Sequence, residues 1–178
     1  MGRRERDDAE FAEFMAARGT HLYRSALLLT GRPHAAEDLA QATLARAYAS
    51  WRRVRAADDP VAYVHRMLVN TFLSRRRRRS STELPVAQTP DVAARPDGVD
   101  HADRLALLAS LATLAPLDRA VVVGRYWEDR SLHETAVALG LTEAAVKNRS
   151  LRALRRLREQ LSDPVGPVRP ATTPGDPA

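Results

Sequence analysis

Cysteine is absent from all 178 residues, which excludes disulfide scaffolds, thiol nucleophiles and Cys-ligated zinc sites. Aromatic residues are scarce at 5%, although 44% of the chain is hydrophobic, so small alanine-rich helical units are the expected way to bury a core. Long apolar runs are missing too. No window approaches the 18 or so residues that a bilayer requires, and nothing here is expected to insert into a membrane. The paired arginines Arg3 and Arg4 run into Glu5, Asp7 and Asp8 instead of an apolar stretch, so they do not open an export signal. β-branched runs are nearly absent. What the chain has in abundance is arginine: 28 basic residues face 22 acidic ones, and Lys147 is the single lysine. The excess is clustered. Arg75 to Arg79 are consecutive, and six more basic residues fall between Lys147 and Arg158. Positive charge gathered in this way suits an acidic polymer.

Breaks in the hydrophobic pattern divide the chain. Residues 80–100 hold three prolines, one glycine and no sustained helical period, which reads as a flexible linker. Residues 163–178 hold five prolines and two glycines and are expected to form a disordered tail, and residues 1–9 a disordered N-terminus. Two helical blocks remain, 10–79 and 101–162. The expected fold is all-α: two small helical domains joined by a flexible linker, the second containing a helix-turn-helix.

Within the first block, Phe11, Phe14, Met15, Leu22, Ala26 and Leu29 recur at helical spacing until Gly31 and Pro33 interrupt. A second helix carries Leu39, Ala40, Thr43, Leu44, Ala47 and Trp51 as its apolar stripe, with Asp38 and Gln41 on the other side. Residues 53–59 read as a short polar loop. Asp59 suits an N-cap and Pro60 the first helical position, so a third helix should start there and bury Val61, Val64, Leu68 and Phe72. Arg66 and Asn70 lie outside that stripe, ahead of the arginine run. Together they could line one nucleic-acid strand. Trp51 and Tyr63 lie near this helix and could stack on unpaired bases, although aromatics at such spacing serve cores more often.

The second block opens with Leu105, Leu108, Leu111 and Leu114, and Pro116 restarts the helix from Leu117 to Trp127. Ser131 with Glu134 forms a capping-box pattern, Gly140 supplies the positive φ of a sharp turn, and Thr142 can cap the helix that follows. This is a helix-turn-helix. Val146, Ala153, Leu154, Leu157 and Leu161 make the buried stripe of its second helix. The outward positions are then Ala144, Asn148, Leu151, Arg152 and Arg155, flanked by Lys147 and Arg149. Asn can pair with adenine, Arg or Lys with guanine, and apolar side chains with a thymine methyl, so the mixture suits a major groove. The alternative is an αα-hairpin with a solvated basic face.

Nothing points to catalysis. The five histidines have no ligand-spaced partners, and there is neither a phosphate-binding glycine loop nor a nucleophile elbow. Glu128 with Asp129 reads as a turn. No cofactor, no metal and no enzymatic activity are expected.

The run Ala36-Glu37-Asp38-Leu39-Ala40-Gln41 resembles region 2.2 of the extracytoplasmic-function group of the sigma-70 family, bacterial RNA polymerase specificity subunits, with an actinobacterial flavour. Tyr63 to Asn70 with the following arginines is similar to regions 2.3 and 2.4. Leu117-Asp118-Arg119 through Tyr126, then Ser131 to Arg158, resembles region 4. The likeness implies partners and roles. Asp38, Leu39 and Gln41 would bind the clamp of the polymerase's largest subunit, with the flap as a second contact. Arg53, Arg55, Arg66, Asn70, Arg75, Arg76 and Arg77 would hold the minus-ten promoter DNA and its flipped base. Thr142, Ala144, Lys147, Asn148, Arg149, Leu151, Arg152 and Arg155 would serve the minus-thirty-five duplex. An anti-sigma factor is a further candidate partner, and the implied location is cytoplasmic. Two positions depart from the family pattern: Ala42 where Glu is common, and Asn148 where Ser is usual. A free-standing helix-turn-helix regulator is the alternative function, and a helical adaptor that binds only protein is a third.

Overall fold

Gly31 adopts φ 74°, and its amide closes on the Leu27 carbonyl at 2.7 Å, ending a first helix that the sequence places correctly at this end but not at the other. The computed structural model describes residues 2–82 and 98–162, so the expected tail and most of the expected linker lie outside the described residues. Helix α1 runs Arg3–Thr30, which corrects the expectation of a disordered N-terminus. Its first turns are fixed by charge. Asp7 sits 3.3 Å from Arg52 and 3.4 Å from Arg55, Glu10 pairs with Arg55 at 2.7 Å, and Asp8 accepts from the Tyr48 hydroxyl at 2.6 Å.

Helix α2 spans Pro33–Ala49, and α3, Trp51–Arg55, follows after Ser50. Arg53 and Arg55 therefore stand on a short helix, not in the expected loop. Helix α4 covers Pro60–Thr82, with Asp59 Oδ1 capping the Ala62 amide at 2.9 Å. α1, α2 and α4 enclose a core of Leu22, Ala26, Leu29, Leu39, Val64 and Leu68. Trp51 is 7% exposed and packs edge-on against Phe11, 5.2 Å between ring centroids at 78°. It belongs to the core, not to a base-stacking surface.

The second block comprises α5 (Gly98–Ala112), α6 (Pro116–Val122), α7 (Leu132–Leu139) and α8 (Glu143–Ser162). α6 does not continue regularly to Trp127. Residues Val123–Trp127 form a wide π turn in which the Glu128 amide reaches the Val123 carbonyl at 3.0 Å, five residues back. Asp129 then takes φ 51°, a left-handed conformation that Asp tolerates better than most side chains. The capping box at Ser131, the left-handed Gly140 (φ 65°) and the Thr142 cap on Ala145 (3.1 Å) all form as expected. The buried stripe of α8 is Val146, Ser150, Ala153 and Leu157, while Leu161 is exposed.

The two blocks share a seam. Leu108, Ala120 and Val123 join the same buried cluster as the α1, α2 and α4 side chains, with Leu139 packed against it. Arg119, 2% exposed, crosses the seam: its guanidinium donates to the Leu29 carbonyl near the end of α1 (2.7 Å), to Ala112 at the end of α5 (2.7 Å) and to Leu114 two residues beyond it (3.3 Å). A cation at two helix C-termini also meets the negative ends of their dipoles.

Candidate nucleic-acid interface

Helix α8 presents its apolar side to α6 and α7 and turns the opposite side to solvent. Ala144, Lys147, Asn148, Leu151, Arg152 and Arg155 are all exposed, and Leu151 stands out at 56% for a side chain of its kind. Arg149 is different. Its guanidinium lies 2.6 Å from Asp118 of α6, which is also 3.5 Å from Arg152. Arg149 thus ties α8 to α6, whereas Arg152 keeps 67% of its side chain in solvent. Thr142 spends its hydroxyl on the helix cap.

Around α4, Arg66, Asn70 and Arg77 are exposed and fall within about 40° of one another at 100° per residue. Arg76 is exposed but turned from that line by about 80°. Arg75 falls on the far side of the helix, half-buried, and donates to the Asp38 carbonyl at 3.3 Å. The arginine run therefore winds around α4 and divides between two surfaces instead of lining one strand. Arg53 is exposed in the middle of α3, while Arg55 at its end is held by Glu10 and Asp7.

The second of those surfaces is a groove lined by Asp38, Gln41, Ala42, Ala45, Arg75 and Arg78. Asp38 and Gln41 are exposed there. Leu39 is 1% exposed and belongs to the core, so it cannot touch a partner directly as expected.

The profile of Sigma-70 region 2 matches residues 14–82, and that of Sigma-70 region 4 matches residues 110–159. The RNA polymerase sigma-E factor of Streptomyces avermitilis is 43% identical over 152 residues, covering 85% of each chain. The ECF RNA polymerase sigma factor SigL of Mycobacterium tuberculosis is 33% identical over 151 residues, covering 80% of this chain and 83% of that one. The chain belongs to the extracytoplasmic-function group of the sigma-70 family. It is a promoter-recognition factor, and the free-standing regulator is set aside. Among solved structures, the sigma factor RpoE of Bartonella quintana, in complex with the anti-sigma factor NepR, has the same fold, with a TM-score of 0.74 at 24% identity over 87% of this chain and 99% of that one.

Sequence reasoning missed one polar cluster in this sigma factor. Glu128 is a buried carboxylate, 4% exposed, and not a surface turn. Its Oε1 accepts from Ser25 Oγ and lies 3.0 Å from His21 Nε2, both on α1; His65 Nε2 of α4 is also 3.0 Å away, out of line for a hydrogen bond. Burial alone would push the carboxyl up, but the close approach of His65 and the hydrogen bonds from Ser25 and His21 outweigh it and bring the pKa down to about 2. Trp127 adds a hydrogen bond to Ser25 Oγ at 3.0 Å and stacks on His21 with centroids 5.5 Å apart. No periodicity signals such a cluster, because its members are separated by as many as 107 residues. Among the described residues no group of His, Asp and Glu is arranged to hold a metal ion, and no helix is long and apolar enough to cross a membrane.

Proposed function

We propose that this sigma factor divides promoter reading between its two blocks and docks on polymerase chiefly through the groove beside Asp38 and Gln41 of the first, in the cytoplasm and without bond chemistry of its own. The observation that carries the reading is the exposed face of α8 behind a capped, glycine-turned helix pair: Lys147, Asn148, Leu151, Arg152 and Arg155 are directed outward while Val146, Ala153 and Leu157 are buried. These side chains read the minus-thirty-five duplex, with Arg152 on a guanine edge or phosphate and Asn148 on adenine. Arg66, Asn70 and Arg77 take the non-template strand of the minus-ten element, where a flipped base offsets the few kcal/mol of unstacking only for the right sequence. Asp38 and Gln41, beside Arg75 and Arg78, dock on the clamp of the largest polymerase subunit, and the second block meets the flap.

Reconstitution tests the division. The purified protein, added to bacterial core polymerase and a genomic promoter library, should give discrete start sites sharing two spaced motifs. Arg152→Ala should lose promoter choice while still binding polymerase. Asp38→Ala should weaken polymerase binding and leave duplex readout by α8 intact. Equal loss of both activities in both variants would refute the assignment, and specific DNA binding with no initiated transcript would move the protein to a regulator that works without polymerase.

A further inference from the structure

We infer that Glu128 is a latch that holds the two blocks docked in a closed form, which must release before this sigma factor can read both promoter elements. The inference rests on the two-element reading above. Three observations converge on it. Glu128 reaches out of the second block into the first, with Ser25 and His21 of α1 and His65 of α4 gathered at one carboxylate oxygen. Trp127, its neighbour in sequence, makes its own two contacts to the same α1 residues. Arg119 spans the same seam by hydrogen bonds to carbonyl oxygens of α1 and α5.

Size makes the closed form incompatible with the full task. A compact chain of this length has a radius of gyration of about 15 Å and so a diameter of about 40 Å. Elements centred near minus-ten and minus-thirty-five are about 25 base pairs apart, or about 85 Å along the duplex at 3.4 Å each. Docked blocks cannot reach both. Fifteen residues connect Thr82 to Gly98, and an extended connection of that length spans about 50 Å, enough to place the blocks on the two elements once the seam opens. A polar latch suits such a seam. Water can take over the hydrogen bonds of Glu128, His21 and Ser25 on opening, whereas a wholly apolar interface would have to expose its full area unrepaid. Arg18 of α1 lines the same small cavity as His21, His65 and Glu128, so among the described residues lining it the charged and titratable groups beside the carboxylate belong to α1 and α4.

The absence of cysteine permits a reversible lock. A Cβ at Gly31 would stand 3.8 Å from the Ala112 Cβ, across the seam, a disulfide separation. The double variant Gly31→Cys, Ala112→Cys should initiate transcription from a two-element promoter when reduced and lose initiation when oxidised, while binding to a duplex carrying the minus-thirty-five element alone persists in both states. Initiation at the reduced rate by the oxidised protein would overturn the latch. Failure of both states would count against the two-element reading or reflect strain at Gly31 (φ 74°), and energy transfer in the free protein then decides the latch by itself. With dyes at Ala17→Cys and Glu159→Cys, the unmodified seam should give a high-transfer population. Glu128→Gln should raise the open-to-closed ratio about ten- to a hundredfold, the factor for one charge-assisted hydrogen bond. Ser25→Ala should act in the same direction. An unchanged ratio in both variants rejects Glu128 as the latch.

Discussion

Replacing Arg119 by methionine removes a buried cation while keeping an apolar stem and leaves three carbonyl oxygens, at the end of α1 and at and just past the end of α5, without their donor. Hydrogen bonds to a charged group contribute about 1.5 to 3 kcal/mol each, so three are worth about 4.5 to 9 kcal/mol. Against this stands the cost of burying the charge. Burial, with a smaller contribution from the charge of Arg76, lowers the guanidinium pKa to about 10, and the fall from its ordinary value corresponds to about 3 kcal/mol that the substitution recovers. The net loss is then about 1.5 to 6 kcal/mol. It is a substantial part of what a small helical protein has. Urea denaturation followed by circular dichroism should show Arg119→Met with a lower midpoint, and Arg119→Lys should recover only part of the loss because an ammonium cannot span both helix ends. A loss below about 1 kcal/mol for Arg119→Met would refute the reasoning, because it would mean that the three bonds only balance the burial of the charge.

Two further predictions concern local features. Because the folded pKa of Glu128 lies at about 2, below its usual value of about 4.5, its stabilising contribution is complete above pH 4.5 and is lost as the pH falls toward 2. Wild type should exceed Glu128→Gln by up to about 3 kcal/mol at pH 7 in urea denaturation, and the gap should close near pH 2; a gap that stays constant across that window contradicts the assignment. Thr142→Ala should cost about 1 kcal/mol of stability through loss of the α8 cap, measured by denaturation in the absence of DNA. No change there would return Thr142 to the DNA-contacting set.

Helix ends were the most legible part of the molecule, because caps and turn residues are local: Gly31, Asp59, Ser131, Gly140 and Thr142 all behave as their chemistry dictates. The N-terminal helix was not legible, since its first turns depend on pairing with Arg52 and Arg55 some 45 residues away. Leu39 and Trp51 show the limit of motif reading, which placed one in a contact surface and weighed the other for base stacking although both are core. Arg75 shows the limit of reading charge: Arg75, Arg76 and Arg77 look alike in sequence, but at 100° per residue they point in different directions, and Arg75 turns back to the Asp38 carbonyl. The Glu128 cluster and the Arg119 contacts to α1 were beyond sequence reasoning because each is assembled only when the two blocks meet.

Asp118 has a consequence for how α8 meets DNA. Its carboxylate, in the first turn of α6, holds Arg149 at 2.6 Å and lies 3.5 Å from Arg152, much as a phosphate oxygen would. Immobilising a long side chain at an interface costs about 0.5 to 1.5 kcal/mol. For Arg152 part of that ordering is already in place in the free protein, so the arginine arrives at the groove pre-aimed, and the incoming DNA exchanges one anionic partner for another instead of capturing a freely swinging cation.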